Sequence, residues 1–382
     1  MTTAPAAPDT ALAHRQSLSQ GALGIALLDI ERAHRGTGPW EAVQRRLAAI
    51  GPLIDGTDAS LFLGAPAMAY VMHQAAADTD RYAGALGALD AIVADHTNRR
   101  LLLAHERIDQ GAKPAFCEYD LIRGLTGLGV LLLRRSPDRP EIRGVLEYLV
   151  RLTEPIPNPA GGHLPGWWVG HGPDRLGSPT PGGHANAGIA HGITGPLALL
   201  ALAKRQGVTV RGQDEAMERI CRWLDQIRQI DQHGVRWPRW INETATVPTN
   251  TATPSWCYGT PGLVRAQQLA AIALGDAERK HMAERALLYC LADSRQLDQL
   301  MDRGLCHGVG GLLRVVQRVA EDADNPGALT RFLPALNERF LSTPPAARPE
   351  FLTGSAGAVL AFQSAEAGTR SVTDWDACLL LI

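Results

Sequence analysis

Apolar stretches recur along the chain, and each begins at a short glycine turn. "RGLTG" at 123–127 runs into "GVLLL", "HGITG" at 191–195 into "LALLALA", and "HGVGG" at 307–311 into "LLRVVQ". The same turn precedes the apolar runs after "QGALG" (20–24), "LGAPA" (63–67), "YGTPG" (258–262) and "TGSAG" (353–357), with Ala67 alone replacing the second glycine. Helices that are apolar nearly all round are enclosed by neighbours. Between turns there is room for one further helix and a loop. After Pro140, for example, Ile142, Val145, Leu146 and Leu149 recur at helical spacing, with Glu141, Arg143, Glu147 and Arg151 on the other face. That is an outer, half-solvated helix. Seven turns in register therefore predict an all-α chain folded as an α/α toroid of seven inner and seven outer helices.

Glycine suits such turns because it permits positive φ and lets backbones approach closely where inner helices crowd an axis. The segments 156–183 and 233–241, rich in Pro, Gly and Trp, read as loops or short hairpins inserted at one mouth of the ring. Loops at such a mouth commonly carry function. Residues 1–18 read as a flexible lead-in, and 19–382 as a single toroid domain.

Composition narrows the partners. Charged residues are 20% and apolar residues 45%, the mix of a soluble globular protein. Lys and Arg number 37 against 39 Asp and Glu, so no general basic surplus points to nucleic acid or an anionic membrane. No apolar stretch is long enough to cross a bilayer, and the start has no secretory pattern. The expected compartment is the reducing cytoplasm, where six cysteines would be free or metal-bound.

The register makes two of those cysteines special. Cys257 and Cys306 each stand two places before the first glycine of adjacent copies, and His307 follows Cys306 directly. If the ring closes, these loops meet near the axis. Two thiolates and one imidazole form a three-ligand zinc set that leaves the fourth tetrahedral position open, as catalytic sites do. Cys221 and Cys290 lie on apolar helical stretches and read as core residues, Cys378 is near the end of the sequence, and Cys117 has no counterpart in the register. Two thiolates and a neutral histidine already cancel the charge of one Zn2+. Such a site favours binding and deprotonating a substrate thiol over generating hydroxide.

"NAGIAHGITG", "SWCYGTPG" and "LCHGVGG" resemble the three signature motifs of the lanthionine synthetase C family, the LanC-like lanthipeptide cyclases, and the resemblance spans all seven copies. It implies one zinc per chain held by Cys257, Cys306 and His307. The implied reaction adds peptide cysteine thiols to dehydroalanine or dehydrobutyrine, giving lanthionine or methyllanthionine thioether rings. Attack at the β-carbon leaves an enolate that must gain a proton at the α-carbon. His191 holds the register position of His307 but follows Ala190 in place of a cysteine, so it is free for proton transfer; a turn-capping histidine would look the same. Asp120 matches the family's acidic residue and could orient His191, although an ordinary helix N-cap reads identically. Tyr258 matches the family's tyrosine and could donate to the developing oxyanion. The family's bacterial cyclases often place arginine four residues before the first zinc cysteine. Here that residue is Thr253, and Arg236 and Arg239 are the nearest basic candidates.

The leading reading is thus a zinc-dependent cyclase acting on a dehydrated precursor peptide, with association to a dehydratase left open. Its rivals are an enzyme that adds a small thiol such as glutathione, a prenyltransferase-like toroid, and a non-catalytic scaffold gripping a peptide or a dehydratase. The prenyl reading is the weakest, because no carboxylate stands in the equivalent loops.

Overall fold

The computed structural model describes residues 10–77, 79–172, 182–232, 234–243, 253–365 and 371–382. Each glycine turn leads into a buried helix: Ala22–His34, Ala65–Ala76, Leu125–Arg135, Thr194–Arg205, Thr260–Leu274, Val309–Asp322 and Ser355–Ala365. Each of these packs on the next, and the last returns to the first, closing a ring. Outside it lie Trp40–Ala48, Ala83–Asp109, Pro140–Leu152, Gln213–Ile227, Ala277–Ala292 and Leu333–Ser342. The fold is the expected all-α toroid. Pro140–Leu152 shows how its outer layer is written: Pro140 sits where a missing N–H costs nothing, and Ile142, Val145, Leu146 and Leu149 are all buried.

Two expectations change. In the seventh copy no outer α-helix follows among the described residues; the segment from residue 371 instead turns inward, and its 3₁₀ turn Trp375–Leu379 is buried. Part of the expected lead-in is ordered as well. Thr10–Arg15 is helical, and the fully buried amide of Gln16 donates to Pro52 O at 2.6 Å and accepts from Ile54 N at 2.9 Å. That side chain satisfies both a donor and an acceptor of a neighbouring loop, which anchors the chain ahead of residue 19. Residues 1–9 lie outside the described range.

Among the described residues, strand is confined to three antiparallel ribbons of two or three residues per strand, all in the Pro/Gly/Trp-rich segments or beside them. The ribbon of His184–Asn186 with Trp240–Asn242 bears on the site, since it is tied to the fourth glycine turn through Ala187 N to Arg239 O at 2.9 Å. Among the described residues no helix is long and apolar enough to cross a membrane.

Of the first glycines, only Gly64 has positive φ. The stronger constraint is close approach at the second glycine. A Cβ on Gly262 would stand 1.9 Å from Trp256 O, and one on Gly311 would stand 1.9 Å from Leu305 O. The same carbonyl, three places before the first glycine, faces the second glycine in the other glycine-bearing copies too. The turn thus folds its own preceding residues against the helix start, which aims the next two side chains at the ring's mouth. Gly262→Ala should therefore destabilise the protein by about 2 kcal/mol or more, the scale of overpacking. Gly87→Ala, where no atom lies within 4 Å of the added carbon, should stabilise it by about 0.5–1 kcal/mol. Denaturant unfolding of both variants checks this, and equal behaviour would contradict it.

Candidate active site and metal centre

The residues two places before each first glycine are joined by backbone hydrogen bonds from turn to turn. Ala190 N donates to Cys257 O at 3.3 Å, Cys257 N to Cys306 O at 3.2 Å, Cys306 N to Leu352 O at 2.8 Å, and Leu352 N to Ser19 O at 3.0 Å. Leu18 N to Phe62 O (2.9 Å) and Leu121 N to Ala190 O (3.2 Å) continue the pattern. This chain of bonds brings residues distant in sequence to one floor. Above it opens a cavity of about 600 Å³, to which all seven turns contribute.

Cys257 and Cys306 line it, and His307 meets them, the three donor atoms lying within 4.8 Å of one another. Their hydrogen bonds link the three groups electrostatically. Hydrogen bonds from the Cys306 thiol and, more weakly, from His307 hold the Cys257 thiol well below the usual thiol range, against the opposing effect of burial. Cys306 is pushed up because it lies against Cys257. The same Cys257 sulfur raises His307, and Asp302, with its Oδ2 3.6 Å from His307 Nε2, adds to this. A divalent ion would replace the shared protons and satisfy both sulfurs at once. By contrast, burial pushes Cys221 and Cys290 each up to about 12, as inert core thiols.

Beside this cluster, His191 Nδ1 donates to Asp120 Oδ2 at 2.6 Å. Asp120 is fully buried, and its Oδ1 accepts from Arg123 N at 2.7 Å and Gly124 N at 2.8 Å. It therefore braces the turn ahead of the third inner helix, whose N-cap is Gly124 without a side-chain cap, and also holds His191. With Nδ1 held by the carboxylate, the other ring nitrogen is left for the cavity, which His191 lines. Phe116 packs on the imidazole, with ring centroids 5.7 Å apart, and Tyr258 lies on it at 6.2 Å.

Tyr258 is pushed up to about 12, chiefly by burial, so its phenol keeps its proton and remains a donor. Its side chain bonds to Asn186, which also accepts from Gly188 N at 2.9 Å. Asn186 was not singled out from the sequence, although it opens "NAGIAHGITG". The two basic candidates separate cleanly. Arg236 pairs with Asp231 within its hairpin. Arg239 stands 5.8 Å over the Tyr258 ring, and its charge reaches His307. Asp302 and Phe116 could not be found from sequence, because nothing in the repeat register marks them.

The profile of the lanthionine synthetase C-like protein family matches residues 13–380. The nisin biosynthesis protein NisC of Lactococcus lactis subsp. lactis is 22% identical over 267 residues, which cover 67% of this chain and 61% of NisC, so less than two thirds of that relative is matched. The solved structure of nisin cyclase superposes with a TM-score of 0.78 at 20% identity, covering 96% of this chain and 92% of that one. With nearly the whole ring inside the family match, and with its three signature turns forming the floor of one cavity, the chain belongs to the lanthionine synthetase C-like family.

Proposed function

We propose that the protein is a zinc-dependent cyclase that adds cysteine thiols of a dehydrated precursor peptide to dehydroalanine or dehydrobutyrine, forming lanthionine or methyllanthionine rings. The observation that carries this is the convergence of Cys257, Cys306 and His307 beside a His191 held by Asp120, in a cavity open to a peptide. Two relatives named for nisin biosynthesis and nisin cyclase support it. One ring-shaped domain carries the whole site, and we place the reaction in the cytoplasm, downstream of a dehydratase.

The donor set of two soft sulfurs and one imidazole nitrogen fits Zn2+, one per chain. Bound there, zinc supplies a Lewis acid that lowers the pKa of an incoming thiol. The residues of the chain do the rest. Bond formation runs from the peptide sulfur to the β-carbon, and the electron pair moves onto the neighbouring carbonyl as an enolate. Arg239 and the protonated Tyr258 face the place where that negative charge develops. On the nitrogen turned away from Asp120, His191 takes up the proton that the thiol loses and returns it to the α-carbon, so no net proton is consumed, and Asp120 holds its tautomer and orientation. Arg239 supplies the positive charge that Thr253 does not.

Purified protein should contain about one zinc per chain. Cys257→Ala and Cys306→Ala should each lose most of it, whereas Cys221→Ala should keep it. Metal analysis showing equal loss in all three would overturn the ligand set. His191→Ala should retain zinc and still bind peptide, yet close rings roughly a hundredfold more slowly, the usual scale of a lost general acid. Free-thiol alkylation over time, with the uncatalysed rate subtracted, measures this on a dehydrated cysteine-containing peptide. A rate equal to the parent's would remove His191 from the chemistry, and parent protein without any rate above background would favour the scaffold reading.

A further inference from the structure

The segment 371–382 fills the centre of the ring from the end opposite the cavity, and its contacts climb the axis in order. Val372 N and Thr373 N donate to the Glu31 carboxylate, each at 3.0 Å, near the far end of the first inner helix. Asp374 pairs with Arg134. Asp376, fully buried, takes Arg314 at 2.8 Å and Arg318 at 2.7 and 2.8 Å. Tyr70 Oη lies 2.9 Å from Asp374 O and 3.0 Å from Trp375 O, and accepts from Cys378 N at 3.1 Å.

At the tip, Leu380 adopts φ +58°, a left-handed conformation that costs a leucine energy and persists only where its surroundings impose it. The carbonyls on either side of it are both taken by the fifth copy. Trp256 Nε1 donates to Leu379 O at 2.9 Å, and Arg265 Nε donates to Leu381 O at 2.9 Å. Trp256, fully buried, directly precedes Cys257. Its indole reaches down to the segment while the next side chain turns up into the cavity.

We propose that residues 371–382 form a plug that positions the metal ligand Cys257 through the Trp256 indole, so that Trp256, and Tyr70 behind it, are positioning residues for the metal site. This rests on the ligand set proposed above. The alternative role, filling the ring for stability alone, would lower the melting temperature without changing metal affinity in the folded protein.

The test is zinc affinity at 25 °C by chelator competition on full-length folded protein, for the parent, Trp256→Phe, Tyr70→Phe and Leu146→Ala. The last removes core packing on the outer helix Pro140–Leu152, remote from the plug, and serves as a control for lost stability. Trp256→Phe keeps the ring but loses the N–H, and should weaken zinc roughly tenfold or more, as expected for an outer partner of a ligand. Tyr70→Phe should weaken it in the same direction, and Leu146→Ala should leave it unchanged despite a lower melting temperature. Cobalt loaded in place of zinc should show an altered thiolate charge-transfer band in Trp256→Phe. Unchanged zinc affinity and band in both plug variants would overturn the plug's positioning role, whereas a parent that binds no zinc would overturn the ligand set itself.

Discussion

The backbone hydrogen bonds that pass from one glycine turn to the next are what the rest of the molecule depends on. Cys257 N to Cys306 O, and Cys306 N to Leu352 O, fix neighbouring turns at backbone distance. In six of the seven turns the second glycine lets the turn's own carbonyl sit where a Cβ would otherwise be, which keeps the turn tight. Seven inner helices then start at one level, and the side chains just before them share one cavity. A repeated packing solution becomes a site because identical backbone slots carry different side chains: Ala190 and His191 in one, Cys257 and Tyr258 in the next, Cys306 and His307 in the third.

Electrostatics divides that floor into two parts. In one, hydrogen bonds shared by two sulfurs and an imidazole hold Cys257 low and push Cys306 and His307 up, an arrangement that a divalent cation would relieve. In the other, a buried carboxylate already satisfied by two backbone N–H groups holds one nitrogen of His191. In the proposed reaction, capture of a soft ion and transfer of a proton fall to different residues, next to each other. Tyr258, kept protonated by burial, and Arg239 above its ring lie between them and bring donors and positive charge.

The ring and the meeting of Cys257, Cys306 and His307 were legible in the sequence because both follow from register. Once "WCYGTPG" and "LCHGVGG" are read as the same phrase, Cys257 and Cys306 must lie side by side. The glycines were legible as landmarks but mostly not for left-handed backbone, which among the first glycines only Gly64 uses. What lies outside the repeat was hidden. The choice between Arg236 and Arg239 depends on a hairpin pairing Asp231 with Arg236, a contact that spacing does not reveal. The buried Arg265, Arg314 and Arg318 interrupt helices that read as apolar, and their purpose emerges only with the inward-turned segment they hold. Gln16 is similar: one polar side chain orders a stretch whose composition suggested mobility.

In the proposed reaction, two cysteines and one histidine hold an ion whose remaining position accepts the substrate's sulfur. Zinc-edge X-ray absorption on the purified protein, before and after a cysteine-containing peptide is added, tests this most directly. The expected spectrum of the free protein has two sulfur neighbours at about 2.3 Å and lighter atoms at about 2.0–2.1 Å. Peptide should raise the sulfur count to three. A sulfur count that differs from two in the free protein, or one that peptide leaves unchanged, would contradict it.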